Sequence, residues 1–373
     1  MIIRTIEKRI LDDFHKGKII VVLGARQVGK TTMFDSVIEG QDKVLKLNCD
    51  DYDDRLDLEN KTSTELRNLI ENYDVVVIDE AQRVKNIGLT LKIIADLKLS
   101  TQVLVTGSSS LDLASEINEP ATGRLFEYQL FPISLSELCN YTSEREERRL
   151  LEQRMVFGLY PEIITHPNDT KRLLHNLASS YLYKDLLEYK GIKKPDMLHK
   201  LVRLLAFQIG NVISYNELAN ELGIDKETVE NYIDLLEKCF VVFRLSSYSR
   251  NARNEIKKGK KIYFYDNGIR NALISNFSPL ELRDDVGALW ENLMVSERLK
   301  RNAYCGSFAQ LYFWRNQQQQ EIDLVEEEDG RLTAFEFKWN EKKKATMPAA
   351  FSRSYPDVDF QVINRQNFLD FVK

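Results

Sequence analysis

Short apolar runs alternate with stretches of helical periodicity along the first third of the chain, a rhythm that predicts an α/β domain built on a parallel sheet. Residues 3–16 read as an amphipathic helix. Lys18 to Leu23 reads as a buried strand, Thr32 to Ile38 as a helix, and Lys43 to Asn48 as a second, alternating strand. Thr62 to Asn72 predicts a helix capped by Thr62 or Ser63, with Glu65 in its first turn. Asp74 to Glu80 contains Val75, Val76, Val77 and Ile78, the β-branched run of a central parallel strand. Gln102 to Thr106 is a third such strand, and Ala121 to Ile133 leads into another alternating one.

Beyond residue 135 the pattern turns helical. Helices are expected at Leu135 to Leu138, Ser143 to Phe157 and Lys171 to Tyr189, interrupted by Gly158-Leu159-Tyr160-Pro161-Glu162. Lys200 to Gln208 is a further helix. Val212 to Asp225 then reads as a short capped helix with a glycine turn, followed by a helix over Lys226 to Lys238 and a strand over Phe240 to Leu245. That order predicts a helix-turn-helix with a wing. Near the end, Gly287 to Val295 opens a helix, Tyr312 to Arg315 is an edge strand, and Glu321 to Val325 with Leu332 to Trp339 form a hairpin around the acidic turn Glu326 to Gly330.

Composition narrows the class. With 373 residues, 43% of them hydrophobic, the chain can form two or three domains with separate cores. Its longest apolar runs fall far short of a membrane span, and residues 1–11 mix charge with apolar residues, so the expected place is the cytoplasm, away from membranes. Cys49, Cys139, Cys239 and Cys305 are scattered, with neither a zinc nor a redox spacing, and are expected to be reduced and buried. The net charge of −5 argues against an overall nucleic-acid coat, yet Phe240 to Arg315 holds thirteen Lys and Arg against seven Asp and Glu. The acidic run Asp50 to Asp54 is expected to be a solvated loop.

The sharpest chemistry is Gly24-Ala25-Arg26-Gln27-Val28-Gly29-Lys30-Thr31, which fits the phosphate-binding loop G-x-x-x-x-G-K-[ST] between a strand and a helix. Gly24 and Gly29 permit the tight turn, while Arg26, Gln27, Val28 and Thr32 belong to the loop and helix start that face the phosphates. Lys30 is placed for the β- and γ-phosphates of ATP and Thr31 for Mg²⁺. Asp79 and Glu80 end a strand, where Asp79 is a metal ligand and Glu80 the group that polarises the attacking water. Thr106 and Ser108 offer hydroxyls to the γ-phosphate, against the plainer reading of a serine-rich helix cap.

The second half carries two candidate sites. The recognition helix holds Asp225, Glu227 and Glu230 against Lys226, a poor face for phosphates. The wing holds Arg250, Arg253, Lys257, Lys258, Lys260 and Lys261 with Tyr248, Tyr263 and Tyr265 among them, and DNA contact there competes with a packing or subunit-contact role. In the hairpin, period-two geometry puts Glu336 and Lys338 on one face, and pairing can bring Asp323 beside them.

Gly-Ala-Arg-Gln-Val-Gly-Lys-Thr-Thr, Ile-Asp-Glu-Ala-Gln, Thr-Gly-Ser-Ser and Thr-Gly-Arg-Leu together resemble the prokaryotic AAA-type ATPases that carry an uncharacterised, restriction-endonuclease-like C-terminal domain. The resemblance implies an ATPase core over 1–134, a helical lid over 135–199, a winged helix over 200–265 and the α/β C-terminal domain over 266–373. It implies a role for Arg124 in a neighbouring subunit's site, hence a homo-oligomer; an ion pair within the chain is the competing reading. It further implies that Asp323 and Glu336, with Glu291 as an additional acid, bind a second divalent metal while Lys338 assists a water. Two functions follow: an ATPase controlling a DNA-acting nuclease, or a nucleotide-switched regulatory protein whose C-terminal domain docks nucleic acid or a partner without cleavage.

Overall fold

The β-branched runs that read as buried strands form the centre of a parallel sheet. In the computed structural model, which describes residues 1–107, 123–180, 194–249 and 259–373, they belong to the first of two compact units. That unit comprises Met1–Phe131 with Lys238–Phe240, and the second Pro132–Glu237 with Val241–Lys373. In the first, β1 (Ile19–Leu23), β2 (Val44–Asn48), β3 (Val75–Asp79), β4 (Gln102–Gly107) and β5 (Leu125–Gln129) lie in the order β2-β3-β4-β1-β5, all parallel. The inner strands β1 and β4 are buried along their whole length and β2 and β5 are not, as expected for a sheet covered on both faces.

Local signals set most boundaries. Thr62 and Glu65 form a reciprocal capping box on the helix Ser63–Ile70, which settles the cap on Thr62. The first helix is shorter than expected, Ile6–Asp12: His15 adopts a left-handed φ of 57° and its N–H donates to Gln102 Oε1 at 2.8 Å, which ends the helix. The run Asp50 to Asp54 is not simply a solvated loop. Asp51 caps a short helix, Tyr52–Leu56, and Asp54 accepts from the Asn48 N–H at 2.7 Å.

The second unit begins with the helices Leu135–Tyr141, Glu144–Phe157, Pro161–Thr165, Thr170–Ser180 and Pro195–Phe207. Gly158 separates two of them because a Cβ there would stand 2.1 Å from Asp266 Oδ1, while Asp266 accepts from the Leu159 N–H at 2.6 Å. A strand β6 (Val212–Ile213) then precedes the helices Tyr215–Leu222 and Lys226–Lys238, joined through the left-handed Gly223. After them come β7 (Val242–Ser247) and β8 (Lys260–Phe264), an antiparallel pair with β6 on the far side of β8.

These strands do not form a separate small sheet. The long helix Val286–Cys305 leads to β9 (Gln310–Arg315), β10 (Glu321–Glu328), β11 (Arg331–Phe337) and β12 (Asp359–Ile363), and one seven-stranded sheet runs β12-β11-β10-β9-β7-β8-β6. Ser246 and Ser247 of β7 pair in parallel with Tyr312 and Phe313 of β9. The sheet thereby crosses the expected boundary at 265/266, because strand pairing between distant segments leaves no mark on local periodicity. Cys49, Cys139 and Cys239 are buried free thiols, but Cys305 is exposed where its helix ends, contrary to expectation. No helix among the described residues is long and apolar enough to cross a membrane.

Candidate functional sites

Parallel strand order explains the first site. β4 lies between β1 and β3, so the loop after β1, the end of β3 and the end of β4 meet at one edge of the sheet. Gly24 is required by close approach: a Cβ there would lie 2.2 Å from the Leu130 carbonyl oxygen. Gln27 and Gly29 take left-handed φ values of 58° and 93°, curling the loop into the helix Lys30–Val37. Val28 is buried, Arg26 half-buried, and Gln27, Thr31 and Thr32 are exposed.

The polar groups of this edge already touch. Lys30, only 5% exposed, folds its ammonium onto the carbonyls of Gly24 and Ala25 at 2.8 and 2.9 Å. Thr31 Oγ1 donates to Asp79 Oδ2 at 2.8 Å, and Thr106 donates to the other Asp79 oxygen. Glu80 follows in a left-handed conformation with φ 53°; its N–H reaches Thr106 Oγ1 at 3.0 Å, and its carboxylate accepts from Gln82. These donors suit a phosphate chain with Mg²⁺: an ammonium held at the loop's centre, and a hydroxyl and a carboxylate facing each other at metal-bridging range. Ser108 lies outside the described residues. Cys49, beside this edge, is no nucleophile, since burial, then the Asp54 and Asp79 carboxylates, push its thiol up to about 12.

One contributor escaped the sequence reading. Arg4 is buried and holds the loop from behind, donating to the Val28 carbonyl at 2.8 Å and to that of Phe131 at 2.7 Å, while its own N–H is capped by Glu7 at 2.9 Å. Nothing local marks Arg4, because both carbonyls it donates to, those of Val28 and Phe131, are distant in sequence.

Arg124 sits at the opposite end of the sheet. Its carbonyl accepts from the Ile19 N–H at the start of β1, so the five-residue strand β1, roughly 15 Å of chain, separates it from the phosphate loop of its own subunit. Its guanidinium, 37% exposed, pairs with Asp96 at 2.7 Å. The competing ion pair thus exists, and Arg124 stands a strand's length from the phosphate loop of its own chain.

The second site is assembled from four elements of the second unit. Lys338 meets Glu336 at 2.5 Å, and Asp323 Oδ2 accepts from the Phe337 N–H at 2.8 Å, so the hairpin does gather these three residues. Glu291, on the helix Val286–Cys305, joins from the side but is taken by other groups. Tyr263 OH donates to its Oε1 at 2.6 Å and Lys261 Nζ stands 2.9 Å from the same oxygen. Burial, then Glu291 and Glu336 opposite, hold Asp323 well above the ordinary carboxylate range. Burial would lower Lys338, but its bond to Glu336 raises it.

These contacts bear on the expected metal set of Glu291, Asp323 and Glu336. Among the described residues no three His, Cys, Asp or Glu side chains converge to hold a metal ion. Lys261 engages Glu291 and Lys338 engages Glu336, while Asp323 accepts from the Phe337 N–H. Of the expected basic wing, only part is described. Lys261 is 1% exposed and faces inward, Tyr263 and Tyr265 are core residues, and Tyr248 packs edge-on against Tyr312 and Tyr355. Lys260 is half-buried at the start of β8, and Arg250, Arg253, Lys257 and Lys258 lie outside the described residues.

Comparison with known proteins agrees with the first site and leaves the second open. Residues 16–139 match the family model described as AAA domain, while residues 148–280 and 286–369 match two domains of unknown function, DUF8612 and DUF4143. An uncharacterised protein of Mycobacterium tuberculosis is 27% identical over 335 residues, covering 88% of this chain and 72% of that protein. One from Methanocaldococcus jannaschii is 25% identical over 374 residues, covering 93% and 81%. Among solved structures, Drosophila ORC bound to AT-rich DNA and Cdc6 aligns at 11% identity over 73% of this chain and 90% of that one, with a TM-score of 0.26. The STAND protein with a tetratricopeptide repeat sensor from Pyrococcus horikoshii aligns at 11% over 80% and 47%, with a TM-score of 0.28. Likenesses this loose carry no argument about the fold. On its family match, its phosphate loop and its parallel sheet, the N-terminal part of the chain is an AAA-type ATPase-like domain.

Proposed function

We propose that the chain binds and hydrolyses ATP with Mg²⁺ at the first unit, and that nucleotide state controls a second unit that docks nucleic acid or a protein partner. The observation that carries the first part is Asp79, which accepts from Thr31 and Thr106 at the one sheet edge where the phosphate loop also lies. In this reading the backbone of Gly24, Arg26, Gln27, Val28 and Gly29 surrounds the phosphates and Thr32 continues the helix start. Lys30 leaves the Gly24 and Ala25 carbonyls for the β- and γ-phosphates, and Thr31 and Asp79 hold the magnesium. Glu80 orients and deprotonates the water, while Thr106 and Ser108 sense the γ-phosphate. Bound ATP·Mg²⁺ supplies the reactive anhydride and its charge neutralisation.

Arg124 acts, on this proposal, on the nucleotide of a neighbouring subunit, a reading supported by its half-exposed position at the far end of the sheet from its own loop; its pair with Asp96 would then open. Helix Tyr215–Leu222, helix Lys226–Lys238 and the β7–β8 pair form the winged-helix part, and Lys260 is its described basic contact. The nuclease alternative, with Asp323, Glu336 and Glu291 on a metal and Lys338 beside a water, is supported less: Lys261 and Lys338 already engage Glu291 and Glu336.

Purified chain is incubated with ATP·Mg²⁺, and with plasmid and single-stranded DNA in Mg²⁺ or Mn²⁺. Phosphate release, lost in Arg124→Ala but partly restored by mixing with Glu80→Gln subunits, is the expected result. Phosphate release unaffected by Arg124→Ala would remove the role in trans. Cleavage of DNA that disappears in Glu336→Ala would replace the docking reading by the nuclease.

A further inference from the structure

The second unit buries a cation where an acidic metal site would need room for one. Lys261 is 1% exposed, and its ammonium lies 2.9 Å from Glu291 Oε1, 2.5 Å from Glu321 Oε1 and 5.5 Å from the centre of the Phe313 ring. Tyr263, two residues along the same strand, donates to the same Glu291 oxygen at 2.6 Å. Glu321 also faces Arg315 at 3.5 Å, and Glu336 faces Lys338 at 2.5 Å. Three carboxylates, Glu291, Glu321 and Glu336, thus meet three fixed cations, Lys261, Arg315 and Lys338.

A lysine is buried this deeply only when carboxylates compensate it, and carboxylates so compensated have little to gain from a divalent ion. The lysine is fixed at both ends of its strand. The next residue but two, Phe264, exchanges two hydrogen bonds with the amide of Asn292, at 2.7 and 3.0 Å, and Asn292 adjoins Glu291 on the helix. The strand that brings Lys261 in and the helix that brings Glu291 in are therefore clamped together, independent of any ligand.

We infer that Lys261 is the resident cation of the C-terminal acid site, holding Glu291 and Glu321 in place of a divalent metal and making the site complete without one. The inference rests on the docking reading of the second unit and adds what the acids do there: they tie β8, the helix Val286–Cys305 and β10 into one rigid body. Lys261 is a positioning residue, and no chemistry is assigned to it. A neutral residue of similar shape at 261 would leave Glu291 and Asp323 without this cation and Glu321 with Arg315 alone, a local excess of negative charge that favours Mg²⁺ or Mn²⁺.

The test uses the full chain carrying Asp79→Asn, which removes the metal-holding carboxylate of the first unit. Mn²⁺ binding is followed by calorimetry and by electron paramagnetic resonance. In this parent, adding Asp323→Asn is expected to leave the Mn²⁺ titration unchanged, and Lys261→Met to raise Mn²⁺ affinity at least about tenfold by removing a unit charge within a few ångströms. Lys261→Arg, which keeps a cation, is expected not to do so. A Mn²⁺ site in the parent that vanishes with Asp323→Asn overturns the inference, as does a folded Lys261→Met protein that gains none. Should Lys261→Met not fold, the parent titration alone decides. DNA cleavage would refute the docking reading separately, because the titration reads the metal without any substrate.

Discussion

The two polar sites of this chain solve opposite problems with similar residue types. At the phosphate loop, Lys30, Thr31 and Asp79 rest on one another or on loop carbonyls, and Thr31, exposed, and Asp79, half-buried, can exchange their partner for a ligand atom at little cost. At the C-terminal acids, Lys261 and Glu291 are each held by more than one partner, and removing one leaves a buried charge less well compensated. The first site rests its charges on neutral groups, carbonyls and hydroxyls, whereas the second closes its charges on one another.

The largest test of that contrast is Lys30→Ala, which should abolish nucleotide binding in a calorimetric titration; turnover like the parent's would collapse the first half of the comparison. Glu80→Gln should bind ATP normally and slow phosphate release by roughly 10² to 10⁴, the usual weight of a general base. Stability reads the other half. Glu291→Gln should lower the urea unfolding free energy by roughly 1.5–3 kcal/mol, because Lys261, 1% exposed, loses one of its two charged partners and keeps Glu321. Asp79→Asn, whose amide oxygen still accepts a hydrogen bond, should cost about 1 kcal/mol. Equal losses would erase the distinction.

The smallest expected effect is in pH. Burial alone would raise Glu326, yet its bonds to Arg298, at 2.6 and 2.7 Å, and to Asn302 hold it below its ordinary value of 4.5. A carboxylate with a depressed folded pKa contributes stability that is fully present above its unfolded value and fades as pH falls through the folded one. The stability gap between parent and Glu326→Gln should therefore be widest near neutrality and close below about pH 4, as urea midpoints would show. A gap that widens in acid would reverse the sign of the argument.

Legibility followed the range of the contacts. The phosphate loop was readable because its function needs successive backbone groups, so the residues must be neighbours in the chain. The capping box of Thr62 and Glu65 was readable for the same reason. Asp79 and Thr106 were readable at one remove, since parallel strands collect ligands at their C-terminal ends whatever the order. The hairpin gave Asp323, Glu336 and Lys338 through period-two pairing. Arg4, Lys261 and Glu321 were not readable as site residues, since their partners lie on elements whose adjacency no local pattern encodes. The wing misled for a related reason: a basic stretch reads as a surface, and only the pairing of β7 with β9 turns β8 so that Lys261 points inward.

The sequence by itself determined the elements, their caps and the phosphate site, because helical periodicity, strand burial and a glycine-lysine-threonine turn act over a few residues. The tertiary structure alone decided that the wing strands join the C-terminal strands in one sheet, that Arg124 faces away from its own loop and pairs with Asp96, and that Lys261 fills the acid site. Those outcomes depend on burying charge and pairing strands between segments far apart in the chain, where the free energy belongs to the assembled packing and to no segment on its own.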